Sequence, residues 1–261
     1  MSVTSSLYYE LHGAQRAPCV LLIHGLGSSA LDWEHQIDAL TARYRVLAVD
    51  LRGHGRSPRR GPITMPGLAA DLAALLRRLE IAQVYAVGIS LGSGVAFQLA
   101  LDHPALVAGV IAINGGPEGP SSDNPEHRAA IDWRTETVRG QGMHGLGIAL
   151  ADRLFPGDGF AQTRAVFAQR WNQNDPELYL EAFRAIIDWS VRDRLSTLQV
   201  PCGVISADND YTPIAFKQAY LRELRDAELV VIERSGHMST HDQPAALNAA
   251  ILRFVDRWSA P

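Results

Sequence analysis

The chain has 261 residues, 47 % hydrophobic and 20 % charged, enough for one large domain or a core with a small insertion and for a sizeable core without disulfides or metals. A formal net charge of −4 gives no electrostatic case for binding nucleic acid or an anionic membrane surface. The N-terminal "MSVTSSLYYELHG" has no basic end followed by an apolar core, and no apolar run approaches the roughly 20 residues that span a bilayer. Two cysteines, Cys19 and Cys202, each follow a proline into an apolar run and read as buried free thiols. The expectation is a soluble, cytoplasmic protein.

In chain order, "LYYEL" (Leu7–Leu11) suits an outer strand. "CVLLIH" (Cys19–His24) is a continuous apolar run of the kind buried on both faces of a sheet. Leu31–Thr41 has Trp33, Ile37 and Leu40 at helical spacing, and "YRVLAVD" (Tyr44–Asp50) is the next strand. Leu68, Leu72, Leu75, Leu76 and Leu79 follow Pro66 on one helical face. "QVYAVGI" (Gln83–Ile89) predicts a strand, Leu91–Leu101 a helix and "LVAGVIAIN" (Leu106–Asn114) another strand. Strands alternating with helices argue for a parallel sheet covered on both faces.

That rhythm breaks at "GGPEGPSSDNPEH" (Gly115–His127), and residues 128–192 carry helical patterns without a strand. The clearest is "PELYLEAFRAIIDWS", with Leu178, Phe183, Ile186, Ile187 and Trp189 on its apolar side. Alternation resumes with "VPCGVIS" (Val200–Ser206), a helix after Pro213, "AELVVIE" (Ala227–Glu233) and a helix from Pro244 to Trp258. The expected organisation is an α/β core of residues 1–116 and 193–261, interrupted by a helical insert over 117–192.

Within this frame "VGISLGSG" sets Ser90 between Gly88 and Gly92 on a strand-to-helix turn. Such a turn lifts a hydroxyl above the sheet edge, and bulky neighbours would collide with the adjoining strand and helix. The Leu91 amide at the helix N-terminus is then a donor for a developing oxyanion. A hydroxyl needs a base, and the base an orienting acid. "RSGHMS" after one late strand offers His237 as the base, with His241 as a rim residue. "ADNDYTP" after another offers Asp210 and Asp208 as competing acids, Asp210 favoured. "LIHGLGSS" supplies the Leu26 amide as a second oxyanion donor, with His24 shaping the turn by hydrogen bonding.

The ordered set "HGLGSS", "DLRGHGRS", "GISLGSG", "ADNDYTP" and "SGHMS" resembles the α/β-hydrolase superfamily over nearly the whole chain. The resemblance implies a mostly parallel eight-stranded sheet, a helical cap over the active site and a Ser90–Asp210–His237 triad. The family's first strand is weak here, with Val3–Ser6 as its candidate, and Ser93 and Ala207 stand where many members have glycine. "DLRGHGRS" reads as a structural loop. Within the superfamily the chain is similar to the 3-oxoadipate enol-lactonase and small-esterase branch. The expected function is therefore hydrolysis of small, largely apolar carboxylic esters or lactones through an acyl-enzyme, with no metal or organic cofactor. Carbon–carbon bond hydrolysis on the same triad is an alternative. Trp133, Met143, Trp171 and Trp189 in the insert are candidate pocket residues. Oligomeric state is not legible.

Two rivals come from other classes. "GLGSSA" after a strand, with Asp50 ending the next, also fits a dinucleotide-binding fingerprint and would make an NAD-dependent enzyme. A ligand-binding protein built on the hydrolase fold is the second, since fold does not fix function.

Overall fold

The computed structural model describes residues 7–259. Seven strands form one sheet: β1 (Tyr9–His12), β2 (Cys19–Ile23), β3 (Arg45–Val49), β4 (Val84–Ile89), β5 (Val107–Ile113), β6 (Cys202–Ala207) and β7 (Ala227–Ile232). Their order is β1-β3-β2-β4-β5-β6-β7, with β1 antiparallel to β3 and every other pair parallel. The sheet therefore has seven strands among the described residues rather than the expected eight, and Val3–Ser6 lies outside them.

Every residue of β2, β4 and β6 is buried, as their unbroken apolar runs require of strands covered on both faces. Nine α-helices complete the chain order among the described residues. In the first half these are α1 (Ile37–Thr41), α2 (Met65–Arg78) and α3 (Leu91–Asp102). Thr64 caps α2 through its hydroxyl on the Gly67 amide at 3.1 Å, and Leu68, Leu72, Leu75 and Leu76 form the buried face. All of Leu91–Ala100 in α3 is buried, which is why that helix is apolar on all sides.

The helix expected over Leu31–Thr41 is broken. Ala30–Trp33 forms a 3₁₀ turn, and α1 starts only at Ile37. Between them Gln36 is fully buried, its amide donating to the Thr240 carbonyl at 3.1 Å, and this long-range tie redirects the chain.

Between β5 and β6 run α4 (Pro125–Leu154), α5 (Ala161–Trp171) and α6 (Pro176–Ile186), with no regular strand. The two connections to the sheet pair with each other through a bridge of Glu118 with Ser190, reinforced by Gly119 N–H on Trp189 O at 2.8 Å and Val191 N–H on Pro117 O at 2.9 Å. In α6 the buried side is Tyr179, Leu180, Ala182 and Phe183, so the face is rotated by about one residue from that read off Leu178. α7 (Ile214–Leu221), α8 (Ser239–Asp242) and α9 (Pro244–Ser259) close the core. No helix among the described residues is long and apolar enough to cross a membrane.

Candidate active site

The loops after β2, β4, β6 and β7 leave the same edge of the sheet, because parallel pairing brings their strand ends into register. One cavity at that edge is lined by Gly25, Leu26, Ser90, Arg134, Tyr211 and His237. Leu150 and Leu154 of α4, Phe167 and Trp171 of α5, and Met238 give it apolar walls.

Ser90 sits at φ 55°, ψ −117°, between the last residue of β4 and the first of α3. A side chain has to accept strain at such a φ. Its flanking glycines cannot be replaced without a collision: a Cβ on Gly88 would lie 2.0 Å from the Gly92 carbonyl oxygen, and one on Gly92 would lie 2.1 Å from that of Ile23. Ser93 fits where a glycine is common because its hydroxyl turns inward, between the Gly88 and Ile113 carbonyls at 2.8 and 3.0 Å, and accepts the Ile113 N–H at 3.1 Å.

Among the described residues, the Leu26 and Leu91 amides have no backbone or side-chain acceptor. The Gly25 backbone lies close to Ser90; a Cβ there would be 3.5 Å from the serine Cβ. His24 fixes this loop. Its Nε2 accepts the Leu51 N–H at 2.9 Å, which leaves Nδ1–H to donate to Gly25 O at 2.7 Å. Burial lowers its pKa to about 4, so the ring is neutral.

His237 Nδ1–H donates to Asp210 Oδ1 at 2.7 Å. Its Nε2, the nitrogen left to accept a proton, takes a hydrogen bond from the Tyr211 hydroxyl at 3.0 Å, and the two rings stack with centroids 4.2 Å apart. Asp210 faces His237, whereas Asp208 spends its carboxylate on the Arg234 and Ser235 amides at 2.8 and 3.0 Å, holding the loop in place. Burial would raise the Asp210 pKa, but His237 and Lys217 more than offset it and hold the carboxyl at about 2.

Three site residues were not read from the sequence. Lys217, the chain's one lysine, is fully buried with Nζ 2.6 Å from Asp210 Oδ2. Asn114, just past β5, donates to the His237 carbonyl at 2.8 Å and accepts the Ala207 N–H at 2.7 Å, joining three of the converging loops. Arg134 of α4 reaches the cavity from the insert.

Of the pocket candidates, Trp171 lines the cavity and the other three do not. Met143 is buried within the insert, Trp133 lies beneath Arg153 at its surface, and the Trp189 indole N–H donates to Gln98 Oε1 at 2.9 Å.

"DLRGHGRS" is a bracing loop. Asp50 accepts the Ala30 amide at 2.7 Å and the Arg56 amide at 2.8 Å, and Arg52 makes a two-pronged contact with Asp71, both bonds at 2.7 Å. With both Asp50 oxygens engaged and only a 3₁₀ turn after the glycines, neither the acid nor the helix of the dinucleotide fingerprint is available. One trio of metal-ligand type, Glu34, His35 and His241, occurs among the described residues. It lies outside the cavity lining, and Arg170 already approaches Glu34 Oε1 to 2.7 Å.

Residues 20–250 match the model of the Alpha/beta hydrolase family. RutD of Caulobacter sp. (strain K31), whose name marks it as a provisional carbamate hydrolase, is 29 % identical over 259 residues, 95 % of each chain. The 3-oxoadipate enol-lactonase 2 of Acinetobacter baylyi is 28 % identical, covering 97 % of this chain and 94 % of that one. Among solved structures, the enol-lactonase of Burkholderia xenovorans LB400 superposes with a TM-score of 0.88 at 26 % identity, covering 96 % of each chain.

Proposed function

Because the chain belongs to the Alpha/beta hydrolase family, we propose that it is a serine hydrolase of small carboxylic esters or lactones, with Ser90 as nucleophile, His237 as base and Asp210 as the acid that orients it. The observation that carries this reading is the His237–Asp210 hydrogen bond of 2.7 Å, with His237 lining the same cavity as the strained Ser90 turn. His237 Nε2 takes the Ser90 proton as the hydroxyl attacks the carbonyl carbon. Asp210 holds the Nδ1–H tautomer and stabilises the imidazolium. The Leu26 and Leu91 amides receive the oxyanion; losing one such donor costs about 10²–10³ in kcat. His237 then protonates the leaving alkoxide and activates the water that releases the acid.

Residues 117–192 act as the cap over the core, supplying the apolar walls through Leu150, Leu154, Phe167 and Trp171. The buried, unpaired thiols of Cys19 and Cys202 suit a reducing, cytoplasmic setting. The likeness to RutD makes carbamates the first non-ester substrates to assay, since the same attack serves them.

Turnover of p-nitrophenyl acetate and butyrate, with covalent labelling by a fluorophosphonate, tests the proposal. Ser90→Ala should abolish both while the melting temperature is kept. Full turnover in that variant would overturn the assignment, and no turnover or labelling of the unaltered protein would favour the ligand-binding rival.

A further inference from the structure

Two buried polar atoms in the cavity wall make no hydrogen bond among the described residues. One is Asp32 Oδ2 and the other is the Trp171 indole nitrogen. Asp32 is 1 % exposed and Trp171 6 %. Burying a polar atom without a partner is costly, and such atoms normally find one.

Both residues pack on the loop that carries the Leu26 amide. Asp32 accepts the Ser28 hydroxyl on Oδ1, and the Gly25 amide lies near enough to favour its ionised form. Trp171 meets the same loop: a Cβ on Gly27 would lie 3.7 Å from Trp171 Cε2, the ring carbon bonded to the indole nitrogen. Asn174 fixes the end of α5 there, donating to the Gly27 carbonyl at 2.8 Å and the Trp171 carbonyl at 3.0 Å. The nearby cations are engaged elsewhere. Arg134 hydrogen-bonds with Tyr179 and Tyr211, and Arg170 pairs with Glu34 at 2.7 Å.

An unpaired acceptor and an unpaired donor on one wall define what fits. A hydroxyl can donate to Asp32 and accept from Trp171 through a single oxygen. An amide or ammonium nitrogen donates without accepting, and a ketone or ether oxygen accepts without donating.

We infer that Asp32 Oδ2 and the Trp171 indole N–H, unpaired in the wall beside the Leu26 loop, together bind a hydroxyl that the substrate carries close to its scissile carbonyl. The preferred substrates are then hydroxy esters or hydroxylated lactones, rather than the purely apolar ones expected from the sequence. This inference rests on the hydrolase reading of the same site.

The test compares both enantiomers of methyl 2-hydroxybutyrate and methyl 3-hydroxybutyrate with methyl butyrate, at pH 8. There Asp32, with its pKa raised by burial to about 7, is mainly ionised and a strong acceptor. Unaltered enzyme should favour one hydroxy ester over methyl butyrate in kcat/KM. Asp32→Leu should lower that ratio by about 10- to 100-fold, the range for a hydrogen bond to a charged group. Asp32→Asn should keep part of it, because the amide oxygen still accepts. Trp171→Phe keeps the ring, removes the N–H and should lower the ratio by about 2- to 10-fold. Calorimetry on Ser90→Ala protein reads binding apart from turnover. The favoured hydroxy ester should bind more tightly than methyl butyrate, and adding Trp171→Phe should erode the difference.

No preference for any hydroxy ester in the unaltered enzyme would overturn the inference while leaving the hydrolase intact. So would a ratio left unmoved by either Asp32→Leu or Trp171→Phe, the result expected if that residue only braces the loop. Failure of the hydrolase reading looks different: no ester is cleaved and no fluorophosphonate label forms. Calorimetry with the hydroxy esters then still decides the role of Asp32 and Trp171.

Discussion

Lys217 Nζ lies 2.6 Å from Asp210 Oδ2, with both side chains wholly out of solvent. The same carboxylate gives its other oxygen to His237, so the lysine neutralises and aims the group that orients the imidazole. Removing one partner of a buried pair leaves the other charge uncompensated, at a cost of about 3–5 kcal/mol. Asp210, held at about 2 when folded, contributes stability that is present above the ordinary carboxyl pKa and lost as pH falls through its folded value. Lys217→Met should therefore unfold at lower temperature and move the acid-unfolding midpoint, followed by circular dichroism, to higher pH. An unchanged acid midpoint would mean the lysine does not hold Asp210 ionised.

Tyr211 presents a different relationship to the same imidazole. Its hydroxyl occupies His237 Nε2 at 3.0 Å, the nitrogen that the proposed reaction needs for the Ser90 proton, and the residue is 42 % exposed. Breaking that hydrogen bond adds to the barrier. Tyr211→Phe keeps the stacked ring and removes the bond, so kcat on p-nitrophenyl acetate should rise by roughly 2- to 10-fold, the equivalent of one ordinary hydrogen bond. A tenfold fall would instead make the phenol a participant in the reaction.

The strands leading to Leu26 and Ser90 were legible because each is an unbroken run of buried residues, and the serine turn because Gly88 and Gly92 stand two residues to either side of Ser90, where a Cβ would strike the Gly92 and Ile23 carbonyls. Such signals are local. Asn114 was not legible, since its partner His237 is 123 residues on, and an asparagine at a strand end carries no mark of that contact. Arg134 was one arginine among many, and nothing in its neighbours along the chain marks it as the one that reaches the cavity from the insert. Lys217 did leave a trace: a single lysine in a chain otherwise built with arginine, seven residues after the favoured acid. The break at Gln36 shows the opposite case, where good helical spacing yields to one buried long-range hydrogen bond.

Asn114 should behave as a tie between loops rather than as a group in the reaction. Asn114→Ala leaves the Ala207 N–H and one acceptor contact at the His237 carbonyl unmet, at about 1–3 kcal/mol for each buried group left unpaired. For a chain of this size that is roughly 5–15 °C in Tm. Because the lost bond holds the His237 backbone, kcat should fall more than KM rises, measured well below the lowered Tm. Kinetics identical to the unaltered enzyme at that temperature would confine Asn114 to stability.

Asp32 predicts a pH dependence of opposite sign to that of Asp210. Its carboxyl is almost fully buried, and one of its oxygens has no hydrogen-bond donor. Burial raises its pKa to about 7, although Ser28, the Gly25 amide and Arg170 favour the ionised form. In the unfolded chain an aspartate titrates near pH 4, so the folded protein holds an extra proton between about pH 4 and 7. The stability linked to that proton is fully present below about pH 4, falls as pH rises, and is gone above about pH 7. Asp32→Asn keeps the shape and removes the titration. Its Tm should exceed that of the unaltered protein by several degrees at pH 8, and the difference should vanish near pH 4. Two melting curves that stay parallel from pH 4 to pH 8 would show that Asp32 is not held protonated by its burial.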